Sequence, residues 1–314
     1  MYFIGKRLCI TFITLFLVSL ITFAAFAIIP GDPALLALGI EAGDGQVASL
    51  RAEMGLDRSF PARYFSWLKN FLTGNLGNSS RFRGEPIRDM ILERLPVTFT
   101  LAFLSLFFII LISVTVVLLP VKKENVAVDR LINTFTAIGI SFPGFFLGVL
   151  FIWFFGIILR FFVPGSYVDY RDNAAAFLGY LIFPALAIAI PNGAIVVKFL
   201  RASVFQQLSL DYVRTAYSKG ALWRQVLYRH VLKNACLPAV TLLGMITGEI
   251  FSGSIVIEQV FTIPGIGRLL IASITSRDFS MVQTLVVYIA FVVVFANTLA
   301  DIALRIIDPR IRLR

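Results

Sequence analysis

The sequence predicts an all-α integral membrane protein with about six transmembrane helices. Three observations carry that prediction. Mean hydropathy is +0.87. Apolar residues fill 58% of 314 positions and charged residues only 15%. The charges also gather between long uncharged runs instead of alternating with the apolar residues. A chain this apolar has too little polar surface to cover itself in water, whereas lipid solvates it.

A helix crosses the hydrocarbon in about 20 residues. Uncharged runs of that length or more are Leu8–Gly31, Leu95–Val121, Leu131–Leu159, Asn173–Val197 and Phe279–Ala300. Asn234–Ile257 is a further run, interrupted only by Glu249. Barrel strands would be about ten residues long with strict alternation, a pattern missing from these runs.

The first span also imitates a signal peptide, with Lys6-Arg7, an apolar core and Ala25-Phe26-Ala27. Its apolar run of about 20 residues exceeds the 7–15 of a signal core, so a retained helix is expected. Lys6 and Arg7 precede span 1, and Lys122, Lys123 and Arg130 lie between spans 2 and 3. Seven further Lys and Arg lie between spans 4 and 5, and Arg305, Arg310, Arg312 and Arg314 follow span 6. With six crossings these clusters fall on one face, which places both termini in the cytoplasm. The expected organisation is an N-terminal helix (1–30), an extracytoplasmic segment (31–94) and a five-helix core (95–314) with a cytoplasmic loop at 201–234. Within the second part, Phe60, Tyr64, Trp67, Leu68 and Phe71 recur at helical spacing, predicting a short amphipathic helix in a small cap over the membrane part.

Several function classes are disfavoured. The net charge of +10 sits between the spans and not on a soluble nucleic-acid-reading face. His230 is the only histidine, so a two-His zinc site within the chain is excluded, and no metal site is expected. There is no Gly-x-Ser-x-Gly elbow and no phosphate-binding Gly-rich loop, so any ATPase must be another chain. Cys9 and Cys236 stand far apart without CxxC or His companions, which suits packing.

Span 5 is the most informative span. Gly244, Gly248 and Ser252 recur every four residues, a strip that permits close helix approach. Glu249 lies beside it near mid-span, where a carboxylate costs about 2.5–3.5 kcal/mol unless it faces protein or water. It is either a cavity-lining group or a hydrogen-bonded structural one. Span 3 carries Pro143 and Gly144-x-x-x-Gly148, and span 4 carries Pro184, Pro191 and Asn192. Prolines free backbone carbonyls and kink a spanning helix, which suits a moving pore wall and equally a static bend. Pro143, Asn192, Gly248, Glu249 and Ser252 are the cavity candidates.

The loop between spans 4 and 5 contains Asp211-Tyr212-Val213-Arg214-Thr215-Ala216-Tyr217-Ser218-Lys219-Gly220. Asp211 is expected as N-cap, Lys219 in the last turn and Gly220 as the stop. A helix of two turns is too short to stand alone and must dock on something. A second, basic amphipathic stretch at Ala221–Asn234 could lie on lipid head groups.

Tyr212 to Ala216 with Lys219-Gly220, then Arg229-His230 and Leu237-Pro238, resembles the cytoplasmic coupling loop of ATP-binding-cassette (ABC) importer permeases of the dipeptide, oligopeptide and nickel branch. The family motif is Glu-Ala-Ala, three residues, then Gly; here Arg214-Thr215-Ala216 replaces the triplet and Gly220 keeps its place. The resemblance extends through Gly31-Asp32-Pro33, Met54 to Asp57, Arg94 to Thr98, Pro264 to Arg268, Arg277-Asp278 and Asp308 to Arg312.

The resemblance implies a type I ABC importer permease fold. It implies pairing with a second homologous permease, two ABC ATPase subunits that carry ATP and Mg, and an extracytoplasmic solute-binding protein. Asp211 to Ala216, Lys219 and Gly220 would form the ATPase-coupling helix. Gly31, Asp32, Pro33, Arg277 and Asp278 would help dock the binding protein. The chain would bind no cofactor itself and would be no enzyme. Peptide is the expected solute, with nickel or another small solute as the alternative. A self-contained secondary transporter would need several intramembrane ionisable groups; only Glu249 and, near the span ends, Glu258 and Asp301 are available.

Overall fold

The computed structural model describes residues 2–28, 43–53, 55–79, 81–82, 84–118 and 126–307. Gly31, Asp32 and Pro33, together with Met54, Lys122, Lys123 and residues 308–314, lie outside the described residues. Every regular element described is helical: α1 (Tyr2–Ile28), α2 (Asp44–Glu53), α3 (Phe60–Leu72) and α4 (Ile87–Leu118). Then follow α5 (Val126–Ser141), α6 (Gly144–Ile158), α7 (Ala174–Leu208) and α8 (Asp211–Ser218). The last are α9 (Trp223–Val260), α10 (Ile266–Thr275) and α11 (Phe279–Ile307).

Five of these, α1, α4, α7, α9 and α11, are long and apolar enough to cross a membrane. The expected third span is not one straight helix: α5 and α6 meet at 97°. Pro143 explains the break. It lacks an N–H to continue the ladder and sits extended at φ −62°, ψ 145°, and its ring disfavours helical geometry at Phe142. Counted as one broken crossing, the pair makes six spans. Phe12, Phe103, Phe107 and Phe135 are all exposed, the reverse of a water-soluble surface and what lipid contact requires.

The chain forms two compact units. One takes in residues 1–96 and 264–294. Here α3 is the short amphipathic helix that the spacing predicts. It packs along α1, with Tyr64 buried against Phe16 and Phe23 and sharing a 2.8 Å hydrogen bond with Ser19. Phe60 and Trp67 also meet Phe23, so the aromatic stripe read from the sequence faces α1.

The other unit takes in residues 97–263 and 295–314. Its centre is α7, which packs against α5, α6 and α9. Small residues allow this: Ala185, Ala187, Ala189, Gly193 and Ala194 are all buried. The Gly144-x-x-x-Gly148 strip is also used. A Cβ at Gly144 would lie 3.1 Å from the Ala187 carbonyl oxygen, and one at Gly148 would lie 3.1 Å from the Phe261 ring. Tyr180 of α7 closes the unit by donating 2.6 Å to the Phe261 carbonyl.

Candidate functional site

The helix α8 begins one residue earlier than its composition suggests. Leu210 is the N-cap, in extended geometry, and Asp211 is the first helical residue with no side-chain cap bond. Asp211 instead sits 3.8 Å from Arg214, a pair so exposed that its contribution is small. An acidic group in the first turn still complements the helix dipole. At the C-terminus the stop falls at Gly220 as expected, while Lys219 lies just past the last turn. Lys219 is the C-cap, and Gly220 stands at φ +79°. The Gly220 N–H donates to Tyr217 O at 2.9 Å, and the Ala221 N–H donates to Ala216 O at 3.2 Å. Those two bonds and a left-handed residue form a Schellman stop, a conformation that favours glycine.

The docking surface that so short a helix needs is partly supplied by the chain itself. Val213 is buried, and α8 packs against a π-helical stretch, Val226–Val231, at the start of α9. Val226, Leu227 and Val231 are buried there. Tyr212 donates to Gln207 Oε1 at 2.9 Å, tying α8 back to the end of α7. The Ala221–Asn234 stretch is therefore not a separate surface helix; most of it is the wide first turns of α9. On the opposite side of α8, Asp211, Arg214, Thr215, Ser218, Lys219 and Gly220 are exposed, while Ala216 is half-buried. Partial desolvation raises the Tyr217 phenol above its ordinary value. The result is a rigid knob, anchored by one apolar face and presenting a polar one.

The cavity candidates separate. Gly248 is buried, and a Cβ there would come 2.7 Å from Asn297 Oδ1, so one helix approach is realised. Ser252 is exposed and donates 3.1 Å to the Glu249 carbonyl, and Gly253 has no neighbour in reach of a Cβ. The strip is thus covered at its centre, Gly248, and open at Ser252. Glu249 itself is exposed, on one side of α9 with Met245, Ser252 and Val256. Asn192 turns back on its own helix, its Nδ2 donating to Ile188 O at 2.9 Å. Pro143 stands at the α5–α6 break and accepts from the Phe146 N–H.

Arg277 and Asp278 also part company. Arg277 is exposed, at φ +58°. Asp278 is fully buried. Its Oδ1 accepts from the Met281 N–H at 3.2 Å, capping α11, and its Oδ2 accepts from the Ser79 hydroxyl. Ser79 Oγ in turn accepts from the Phe82 N–H at 2.9 Å. Of the two expected docking residues, Arg277 thus reaches the surface, while the Asp278 carboxylate is engaged inside the chain.

Two further polar contacts escaped the sequence reading. Glu258, wholly buried, accepts 2.7 Å from Thr98 Oγ1. Arg201 pairs with Asp129 through its Nη2. Their sequence signals are only a carboxylate or cation just beyond the end of an apolar run, which does not say what lies opposite.

Comparison with known proteins follows the same lines. Residues 109–313 match the family described as binding-protein-dependent transport system inner membrane component, and residues 1–102 match its N-terminal membrane component. A probable peptide ABC transporter permease of Sinorhizobium fredii is 35% identical over 310 residues, covering 99% of both chains. A putative peptide transport system permease of Brucella abortus is 33% identical, covering 98% of both. The oligopeptide transport system permease AppB of Bacillus subtilis is 31% identical, covering 94% of both. Among solved structures, the inward-facing MetNI methionine ABC transporter matches with a TM-score of 0.57 at 17% identity, covering 71% of this chain and 98% of that one. This last likeness concerns the fold alone.

Proposed function

This chain belongs to the inner membrane components of binding-protein-dependent transport systems, and from that premise we propose that it carries peptides inward across a prokaryotic plasma membrane. It acts as one of two homologous permease subunits, driven by two separate ATPases that hold ATP and Mg, and it receives solute from an extracytoplasmic binding protein. Both termini lie in the cytoplasm.

The observation that carries the reading is α8. A helix of eight residues is held by Val213 on one side, stopped sharply at Gly220, and left polar and exposed on the other. Such a knob transmits displacement and does no bond chemistry. Closure of the ATPases on ATP draws two such knobs together, and the spans reorient as rigid bodies between inward-open and outward-open states.

Glu249 supports a second, apposed permease. It stands exposed on α9 near mid-span, and lipid contact there would cost about 2.5–3.5 kcal/mol. Another subunit or a water-lined path removes that cost. Met245, Ser252 and Val256 share the face, so it lines the translocation path or the permease–permease contact. The peptide assignment is supported by the three relatives, each named as a peptide or oligopeptide permease and each similar over at least 94% of this chain.

The test is uptake of a labelled oligopeptide into liposomes holding this chain, its partner permease and their ATPases. Uptake should require both ATP and the binding protein. Equal uptake without ATP would overturn the reading in favour of a secondary transporter.

A further inference from the structure

At the end of α7 that leads into α8, a cavity of about 250 Å3 lies beside Ile132, Asn133, Val197, Lys198, Arg201 and Phe205. It lies where two uncharged runs end: Lys198 is the first charge after the uncharged run of α7, and Asp129 and Arg130 immediately precede the uncharged run of α5. The Arg201 side chain is only 13% exposed. Asp129 takes its Nη2, and the Phe205 ring lies under its guanidinium at 5.3 Å, so the group is held in place. Its Nη1 is buried without a hydrogen-bond partner. Leaving a cationic donor unpaired is costly, and an acceptor in the adjoining cavity removes the cost.

We propose that this cavity holds the phosphate group of a phospholipid of the adjoining leaflet. The chemistry fits in two parts. Arg201 and Lys198 offer charge-assisted donors, with the Asn133 amide beside them, and a phosphate oxygen accepts from such groups more strongly than a neutral acceptor does. Ile132, Val197 and Phe205 offer apolar wall to the glycerol and upper acyl carbons. Basic recesses between spanning helices at this depth recognise lipid head groups for these reasons. The leaflet is the cytoplasmic one under the orientation proposed above, but the phosphate site does not depend on that orientation. Because α7 continues into α8, a bound lipid would brace the base of the proposed coupling knob.

The assembled transporter, stripped of loosely held lipid in detergent, is titrated with phosphatidylglycerol and bound molecules are counted by native mass spectrometry. The unmodified complex should retain phosphatidylglycerol about tenfold or more strongly than the Lys198→Gln/Arg201→Gln double variant. Lys198→Gln alone, at an exposed position, should show a smaller loss in the same direction, which guards against misfolding caused by stranding Asp129. Asp129→Asn, which removes the carboxylate charge that competes for Arg201, should bind at least as tightly as the unmodified chain. Displacement of the lipid by inorganic phosphate at matched concentration would assign the site to the free anion and overturn the lipid; retention against it supports the lipid. Equal retention by the unmodified and double-variant complexes would overturn the site altogether.

Discussion

The turn after α8 and the turn after α10 use one backbone scheme. In each, the residue past the C-cap is left-handed and donates to the second-last helical residue, and the next donates one residue further back. At the first the left-handed residue is Gly220, with nothing within reach of a Cβ. At the second it is Arg277, followed by the buried Asp278 that caps α11 and holds Ser79. The second turn has internal partners for its polar groups, and they hold a non-glycine residue at φ +58° despite its cost of roughly 1–2 kcal/mol. The first has no such side-chain support at its stop, so the geometry rests on glycine. A turn tied down by its own chain is structural; a turn with an exposed polar helix before it is free to meet another molecule.

The same contrast recurs along α9. Glu258 is buried and bonded to Thr98, whereas Glu249, nine residues earlier, is exposed. One carboxylate is satisfied inside the chain, and the other is presented outward from α9.

The largest expected effect is at the first turn. Gly220→Pro cannot adopt φ +79° and removes the N–H that bonds Tyr217, so ATP-dependent uptake should be lost while the protein remains in the membrane. Uptake assays beside a membrane immunoblot check this; normal uptake would break the assignment of α8 as the transmitting element. Next in size, Asp278→Ala removes a helix cap and the acceptor for Ser79, a loss of roughly 2–3 kcal/mol. A lower thermal midpoint of the purified complex, with uptake falling only in proportion to the folded amount, is the expected result.

Exchanging the turn residues sharpens the comparison. Gly220→Arg should destabilise α8 by about 1 kcal/mol through backbone strain alone, since space for a side chain is open. Arg277→Gly should be neutral or stabilising by up to about 1 kcal/mol, read in the same thermal midpoint. The smallest stability effect is expected at Glu249→Gln, within about 0.5 kcal/mol because the side chain is exposed. Its transport rate or the pH dependence of that rate should change nonetheless. An unchanged rate across pH would move Glu249 from the translocation path to a structural role.

Residue order alone determined the class of this protein. Uncharged runs of about 20 residues need lipid whatever their arrangement, and a glycine after a short helix reads as a stop because only local backbone geometry is involved. The aromatic spacing of Phe60, Tyr64 and Trp67 likewise named a helix face. Tertiary structure decided what those faces meet. It set α3 against α1, bent the third span at Pro143, buried Val213 under the start of α9, and turned Asp278 inward while leaving Arg277 and Glu249 outside. Periodicity shows which side of a helix is apolar or polar, but burial depends on residues tens to hundreds of positions away. Ser79 and Asp278 are 199 residues apart, and Thr98 and Glu258 are 160 apart. No local pattern encodes such a meeting, so the polar groups that hold the fold together and those left for partners look alike until the chain is folded.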